Sequence, residues 1–348
     1  MIGLPATQRA LVAESAKVPH QIKEIPVPVP ADDELLIRIR YSGICHSDMG
    51  AYEGDWPAIT KFPLIGGHEG AGEVVAMGRK VKDWQIGDNV GVKMRNNVCL
   101  SCEFCKKGFE SNCPHIVNTG YGSPGTFQEY MTIRAIEAAK IPKGADLASV
   151  APILCAGVTI YRAIKESNVH PGEILALTGA AGGLGSFGIQ YAKAMGLRVL
   201  AIANRSKEEH CRNLGADYFQ DAYADDIVES IQKMTNGGPH GVINLAPSKK
   251  AMEDSVLYVR TRGTLVFVGF PKENTPEINS FYIVYNCLTI KGSLTGNRQD
   301  VDDAIAFVTN GAVKVPVELI RLEDVPTAFE KLHKGEIKGR AVVDMALR

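Results

Sequence analysis

Ile174-Leu175-Ala176-Leu177-Thr178-Gly179-Ala180-Ala181-Gly182-Gly183-Leu184-Gly185 joins a short apolar run to a glycine-rich turn, and Leu184, Gly188, Ala192 and Met195 then recur at helical spacing. A strand, a turn without side-chain bulk and a helix in that order let backbone amides approach a pyrophosphate, while the helix dipole favours its charge. The turn is one residue longer than the usual G-x-G-x-x-G, and Gly179, Gly182, Gly183, Leu184 and Gly185 are its candidate phosphate-binding positions. Downstream, strand-like Arg198–Ala203, a helix over Lys207–Leu214, and strand-like Gly241–Leu245 and Thr264–Gly269 continue the alternation. That pattern predicts an α/β fold with a Rossmann, doubly wound parallel sheet over residues 157–292.

An acidic residue about twenty positions beyond the glycines normally takes the adenosine ribose hydroxyls. Here the second strand ends in Ala203-Asn204-Arg205-Ser206-Lys207. With no carboxylate to repel a 2′-phosphate, and Asn204, Arg205, Ser206 and Lys207 able to hold one, the expected dinucleotide is NADP(H) rather than NAD(H). The competing reading makes Arg205 and Lys207 the solvated start of a helix.

Before residue 157 the texture differs. Ile37, Ile39 and Tyr41 alternate with Arg38 and Arg40, as in a half-buried strand, and glycines recur through Gly91. This suits a small irregular β-barrel over residues 1–156, to which the tail 293–348 is expected to return.

Cys99, Cys102, Cys105 and Cys113, four of the chain's eight cysteines, fall within one short loop of that region. Four thiolates so spaced close around a single soft cation. Pro114 echoes the Cys-Pro ending of iron–sulfur runs, but seven residues separate Cys105 from Cys113 where such runs have three. The spacing therefore predicts a closed structural zinc. Cys45, His68 and Cys155 are further candidates, since two thiolates and an imidazole hold zinc with a fourth place open. They lie far apart in sequence, and singly Cys155 reads as a small core residue and His68 as a polar loop residue. Cys211 and Cys287 are expected to be small buried hydrophobes, the latter in an apolar strand.

The chain of 348 residues is 45% hydrophobic and carries a formal net charge of −1, enough for two cores and without the charge bias of a nucleic-acid or membrane binder. Met1–Val18 has neither a secretory nor a mitochondrial import pattern. A small-molecule partner and a cytoplasmic location are expected.

Five segments, taken in order, resemble zinc-containing medium-chain alcohol dehydrogenases, most closely the yeast-type tetrameric branch. They are Gly43-Ile44-Cys45-His46-Ser47-Asp48, Gly66-Gly67-His68-Glu69-Gly70-Ala71-Gly72, the cysteine loop ending Ser111-Asn112-Cys113-Pro114-His115, Ala151-Pro152-Ile153-Leu154-Cys155-Ala156-Gly157, and Gly179–Gly185. The resemblance implies a GroES-like catalytic barrel beside the Rossmann domain, two zinc ions per chain and a homotetramer. It implies catalytic zinc on Cys45, His68 and Cys155, with Glu69 approaching the metal during ligand exchange, and structural zinc on the four-cysteine loop. It further implies that Asp48 orients the zinc-bound histidine and that Ser47 passes the proton. His46 and Arg340 would contact the pyrophosphate, and Thr159 would lie beside the nicotinamide.

Departures from the family pattern shape the expected chemistry. Glu53 stands near the place of the outer relay histidine, and Gly50 occupies another position where relatives carry histidine. Met94 aligns with a bulky tryptophan of the yeast enzymes while Trp56 is retained, so substrates larger than acetaldehyde are expected. The reading is an NADP(H)-dependent alcohol dehydrogenase acting as a carbonyl reductase. Its competitors are an NAD-linked primary alcohol dehydrogenase, a metal-free quinone or enone reductase, and a non-catalytic protein of the same fold.

Overall fold

The computed structural model describes residues 3–269, 275–337 and 339–348. The chain forms two compact units, one of Met1–Cys155, Asn297–Thr309 and Val315–Arg348, the other of Ala156–Gly296 and Asn310–Lys314.

In the first unit, strand Glu34–Gly43 is central. It pairs antiparallel with Glu69–Met77, Tyr130–Arg134 and Arg340–Asp344. Because it is covered on both sides, the alternation read from sequence holds only at Ile37-Arg38-Ile39, while Leu35, Leu36 and Ile37 are all buried in succession. Register shifts between Leu36 and Ile37 and between Ile39 and Tyr41 bend it. Gly72 lies against this bend: a Cβ there would sit 2.1 Å from the Arg38 carbonyl oxygen. Strands Asn89–Val92 and Ala139–Lys140 extend the sheet on one side, and Val317–Ile320, parallel to Arg340–Asp344, on the other. Leu35, Ile37, Ile39, Val74, Phe127, Met131 and Ile133 fill the interior, closed by Val325, Ala328 and Phe329 of helix Val325–His333.

The second unit is a parallel sheet of six described strands. Numbered along the chain from Ile174–Thr178 to Thr289–Gly292, their spatial order is 3-2-1-4-5-6, the doubly wound order that places a ligand crevice at the ends of its first strands. All five residues of Ile174–Thr178 are buried, as a central parallel strand requires. Ile174, Ala176, Leu200, Ile202, Val242 and Leu265 share one core.

Cys211 is buried in helix Glu208–Asn213, as the sequence suggests. Cys287 departs from expectation, being exposed in a turn with φ +50°. The aromatic run before it folds as helix Ser280–Tyr285, capped by the Asn279 side chain, and the strand begins only at Thr289. Among the described residues no single helix is long and apolar enough to cross a membrane.

Candidate functional site

Three separate stretches of the first unit converge on one buried cluster. Cys45 precedes helix His46–Glu53, and Asp48 in the helix's first turn reaches back to accept the Cys45 N–H at 2.9 Å. This is a capping box with a thiol at its head. His68 follows Gly67, whose φ of +87° and crowding against Thr126 (2.4 Å to its Oγ1 from a Cβ) admit no side chain. Cys155 sits between the turn Ala151–Leu154 and helix Ala156–Ser167.

The ligand atoms of Cys45, His68, Glu69 and Cys155 lie within 4.8 Å of one another, all four residues buried. His68 Nε2 is 3.2 Å from Cys155 Sγ. Tetrahedral zinc, with bonds of about 2.3 Å to sulfur and about 2.0 Å to nitrogen, needs ligand atoms about 3.6–3.8 Å apart, so this soft donor set fits the ion with small adjustments.

Asp48 supports the cluster with both oxygens. Besides the Cys45 N–H it accepts the Gly67 N–H at 3.1 Å and faces His68 Nδ1 at 2.7 Å. That contact puts the proton on Nδ1 and leaves Nε2 free to ligate. Burial pushes the His68 pKa down, but the Asp48 carboxylate and the Cys45 sulfur outweigh it and hold it well above the ordinary value. Cys45 is held well below the usual thiol range, chiefly by its hydrogen bond with Cys155, which is raised well above it. The two thiols thus share a proton that a bound cation displaces.

Glu69 points away from solvent onto Arg340, whose Nη2 donates to its two oxygens at 2.7 and 2.6 Å. Gly43 makes room for this pair, since a Cβ there would fall 2.0 Å from Glu69 Oε2. Burial lifts Glu69 to about 7 against the pull of Arg340. Arg340, expected at a pyrophosphate, is itself 7% exposed and committed to Glu69, a partnership that no spacing in the sequence signals.

Ser47 lies with its Oγ 3.6 Å from Cys45 Sγ, whereas His46 is exposed. Glu53 ends the same helix, half-buried, before Gly54 caps it. Trp56 and Met94 are half-buried and pack in one cluster with Ala51, Leu64 and Tyr121. Gly50 explains how Trp56 fits: a Cβ there would lie 2.9 Å from the indole ring. Tyr121 was not distinguished in the sequence, yet its ring lies 5.9 Å from both Trp56 and His68.

The loop cysteines Cys99, Cys102, Cys105 and Cys113 bring their sulfurs within 4.8 Å of one another. Backbone N–H groups of Cys102 and Cys105 point at Cys99 and Cys102 sulfurs at 3.3 and 3.5 Å. Such donors hold Cys99 down to about 5, with the Ser101 backbone foremost, while burial raises Cys105 to about 12. Arg95 bonds Ser111 at 2.9 Å, Arg298 bonds Glu110 at 3.0 Å and Asn297 bonds the Gly108 carbonyl at 3.2 Å, tying the loop to the body of its unit.

In the second unit Gly179 takes φ +65° and Gly182 caps helix Gly183–Ala194 with no side chain on its first N–H groups. The first N–H groups of this helix, those of Gly183, Leu184 and Gly185, form an end suited to an anion. Gly185 is required for closure, as a Cβ would meet Ala180 Cα and carbonyl oxygen at 2.5 Å. Thr159 is buried on helix Ala156–Ser167. At the end of the second strand Asn204 caps a short turn by accepting the Ser206 N–H, and Ser206 and Lys207 lie exposed. Arg205 is 66% exposed on its side chain, 3.2 Å from Glu208 and 3.8 Å from Asp221, so its charge is shared with two carboxylates.

Residues 31–143 match the family model described as "Alcohol dehydrogenase GroES-like domain", and residues 183–310 match "Zinc-binding dehydrogenase". Alcohol dehydrogenase 1 of Caenorhabditis elegans is 56% identical over 347 residues, 99% of each chain. Among solved structures, CAD from Helicobacter pylori, complexed with NADP(H), is 28% identical with a TM-score of 0.86, covering 98% of this chain and 99% of its own. Acetophenone reductase from Geotrichum candidum, in complex with NAD, is 27% identical with a TM-score of 0.85, covering 98% of each.

Proposed function

The chain belongs to the zinc-containing medium-chain alcohol dehydrogenases, and we propose that within that family it is an NADP(H)-dependent carbonyl reductase acting on aldehydes or ketones larger than acetaldehyde. The observation that carries the reading is the buried Cys45, His68 and Cys155 cluster with Asp48 on the far imidazole nitrogen. We assign Cys45, His68 and Cys155, with Glu69 in reserve, to catalytic zinc, and Cys99, Cys102, Cys105 and Cys113 to structural zinc. Residues 1–156 and 293–348 form the catalytic domain in this proposal, and 157–292 the nucleotide domain. When bound, zinc acts as a Lewis acid on the substrate oxygen and the nicotinamide carries the hydride.

The chain's own residues do the rest. Asp48 fixes the His68 tautomer and raises its basicity. Ser47 holds the proton that moves to or from the substrate oxygen, and Glu53 is the outer acceptor along that route. Met94 leaves volume beside Trp56 for a bulkier substrate. The amides after Gly182 seat the pyrophosphate, and Arg205, Ser206 and Lys207 meet the 2′-phosphate, a role supported by the lack of a carboxylate within Asn204–Lys207 and by Arg205's exposure. Assembly as a homotetramer and a cytoplasmic location belong to the same proposal.

The test has two parts. Metal analysis should give two zinc ions per chain, and a fluorescence titration should show NADPH binding at least tenfold tighter than NADH, about 1.4 kcal/mol. One zinc or none sinks the catalytic assignment; equal or tighter NADH binding sinks the cofactor preference and leaves an NAD-linked alcohol dehydrogenase.

A further inference from the structure

The Tyr121 hydroxyl is enclosed, in a residue 3% exposed, and has no hydrogen-bond partner of proper geometry among the described residues. Leaving a buried hydroxyl unpaired costs about 1–3 kcal/mol, so it calls for an explanation in what the site binds. Other enclosed hydroxyls share this condition, those of Thr60, Thr119 and Ser293. Tyr121 differs in its place. Its ring is 5.9 Å from His68 and 5.9 Å from Trp56, and the Ser47 hydroxyl and the charges of Asp48, Cys45 and Cys155 act on its phenol.

The backbone holds it there. Lys61 N–H donates to the Tyr121 carbonyl at 2.9 Å, and Thr119 N–H donates to the Met94 carbonyl at 2.7 Å. The loop carrying Tyr121 is therefore clamped between the segment after Trp56 and the bend at Met94, between strands Asn89–Val92 and Arg95–Asn97. Packing against Ala51, Leu64 and Trp56 fixes the ring. A rigid ring with an unsatisfied donor, beside Ser47 and the metal-binding cluster, is a preorganised group waiting for an acceptor.

We propose that Tyr121 is a catalytic residue whose phenol O–H donates a hydrogen bond to the substrate oxygen, alongside Ser47. The inference rests on the alcohol dehydrogenase reading and adds a second donor to the oxygen that gains charge as a carbonyl is reduced. No bond is made or broken by Tyr121: its proton stays on the phenol, and Ser47 remains the group that passes one.

The test is Tyr121→Phe, which removes one oxygen and keeps the ring. In the zinc-loaded enzyme with NADPH, kcat/KM for an aldehyde should fall about tenfold or more, the range of a hydrogen bond to a charged acceptor, and the primary deuterium isotope effect should rise. A small aliphatic carboxamide, whose oxygen mimics the carbonyl, should bind at least fivefold more weakly to the variant by calorimetry. The metal-free variant should unfold at the same or a higher denaturant concentration, because an unpartnered hydroxyl supports nothing in the unliganded fold. Unchanged kcat/KM and carboxamide affinity would overturn the proposal. So would lost activity joined to a lowered unfolding midpoint and intact carboxamide affinity, which marks a structural hydroxyl. If the wild type turns over no alcohol or carbonyl, the functional reading fails and the carboxamide affinities alone decide Tyr121.

Discussion

Replacing Asp48 by asparagine changes one atom and tests the electrostatic logic of the cluster. The carboxylate accepts three hydrogen bonds, from Cys45 N–H on Oδ2 and from Gly67 N–H and His68 Nδ1 on Oδ1. An asparagine keeps only one acceptor. Its best placement leaves the oxygen toward Gly67 and His68 and turns its NH2 group onto the Cys45 N–H, so two donors face each other in a residue 2% exposed. The lost charge-assisted bond and the orphaned amide together cost about 3 kcal/mol. Both tryptophans, Trp56 and Trp84, lie in the first unit, so tryptophan fluorescence in denaturant follows that unit alone. The metal-free variant should show a lower unfolding midpoint with an unchanged slope. The zinc affinity of the cluster, read by chelator competition, should drop about 10–100-fold as the imidazole loses its anionic support. An unfolding free energy within 0.5 kcal/mol of wild type, roughly the scatter of neutral surface changes, together with an unchanged zinc affinity, would refute the argument.

If the proposed structural zinc helps order the cysteine loop, Cys105→Ser should reduce zinc from two ions to one per chain by metal analysis and lower the unfolding midpoint of the first unit. Gly185→Ala should abolish dinucleotide binding in a titration and destabilise the second unit by about 1–3 kcal/mol, the range for overpacked sites, since its Cβ would press on Ala180 backbone 2.5 Å away. His20, packed on Tyr52 at 4.2 Å, is pushed by burial from 6.5 to about 4. The unfolded chain therefore binds the extra proton across that window, so His20's contribution is full above pH 6.5 and falls as the pH drops toward 4. His20→Phe should flatten that part of a stability-versus-pH curve, and an unaltered slope would count against the assignment.

The second unit was legible because its signals are local. Ile174–Thr178, the glycine turn and Arg198–Ala203 each declare themselves within a few residues, and the structure places strands at Ile174–Thr178 and Arg198–Ala203. The first unit was read less sharply, since its central strand is covered on both faces and loses the period of two that marks a half-buried strand. Cys287 misled because apolar aromatic runs suit short helices and strands equally. The cysteine loop could be read from spacing alone. Joining Cys45 to His68 and Cys155 needed the family resemblance, because a barrel brings together residues that sequence keeps more than eighty positions apart. The pairing of Glu69 with Arg340, and the place of Tyr121 beside His68 and Trp56, escaped altogether, for a buried ion pair or an enclosed phenol leaves no pattern in a linear chain.

The pairing of Glu34–Gly43 with Arg340–Asp344 also sets a schedule for biosynthesis. At ribosomal speeds of about 5–20 residues per second, roughly 15–60 s separate the synthesis of these two strands. Throughout that interval the Tyr41–Gly43 end of the central barrel strand lacks its Val342–Asp344 neighbour, although Tyr130–Arg134 already pairs with Glu34–Arg38, and Glu69 has no Arg340. The nucleotide-type unit, whose six described strands all lie between them in the chain, can mature first. A nascent barrel with an open edge is thus the stage of this protein's life most in need of a chaperone, and a premature stop before Arg340 would prolong it indefinitely.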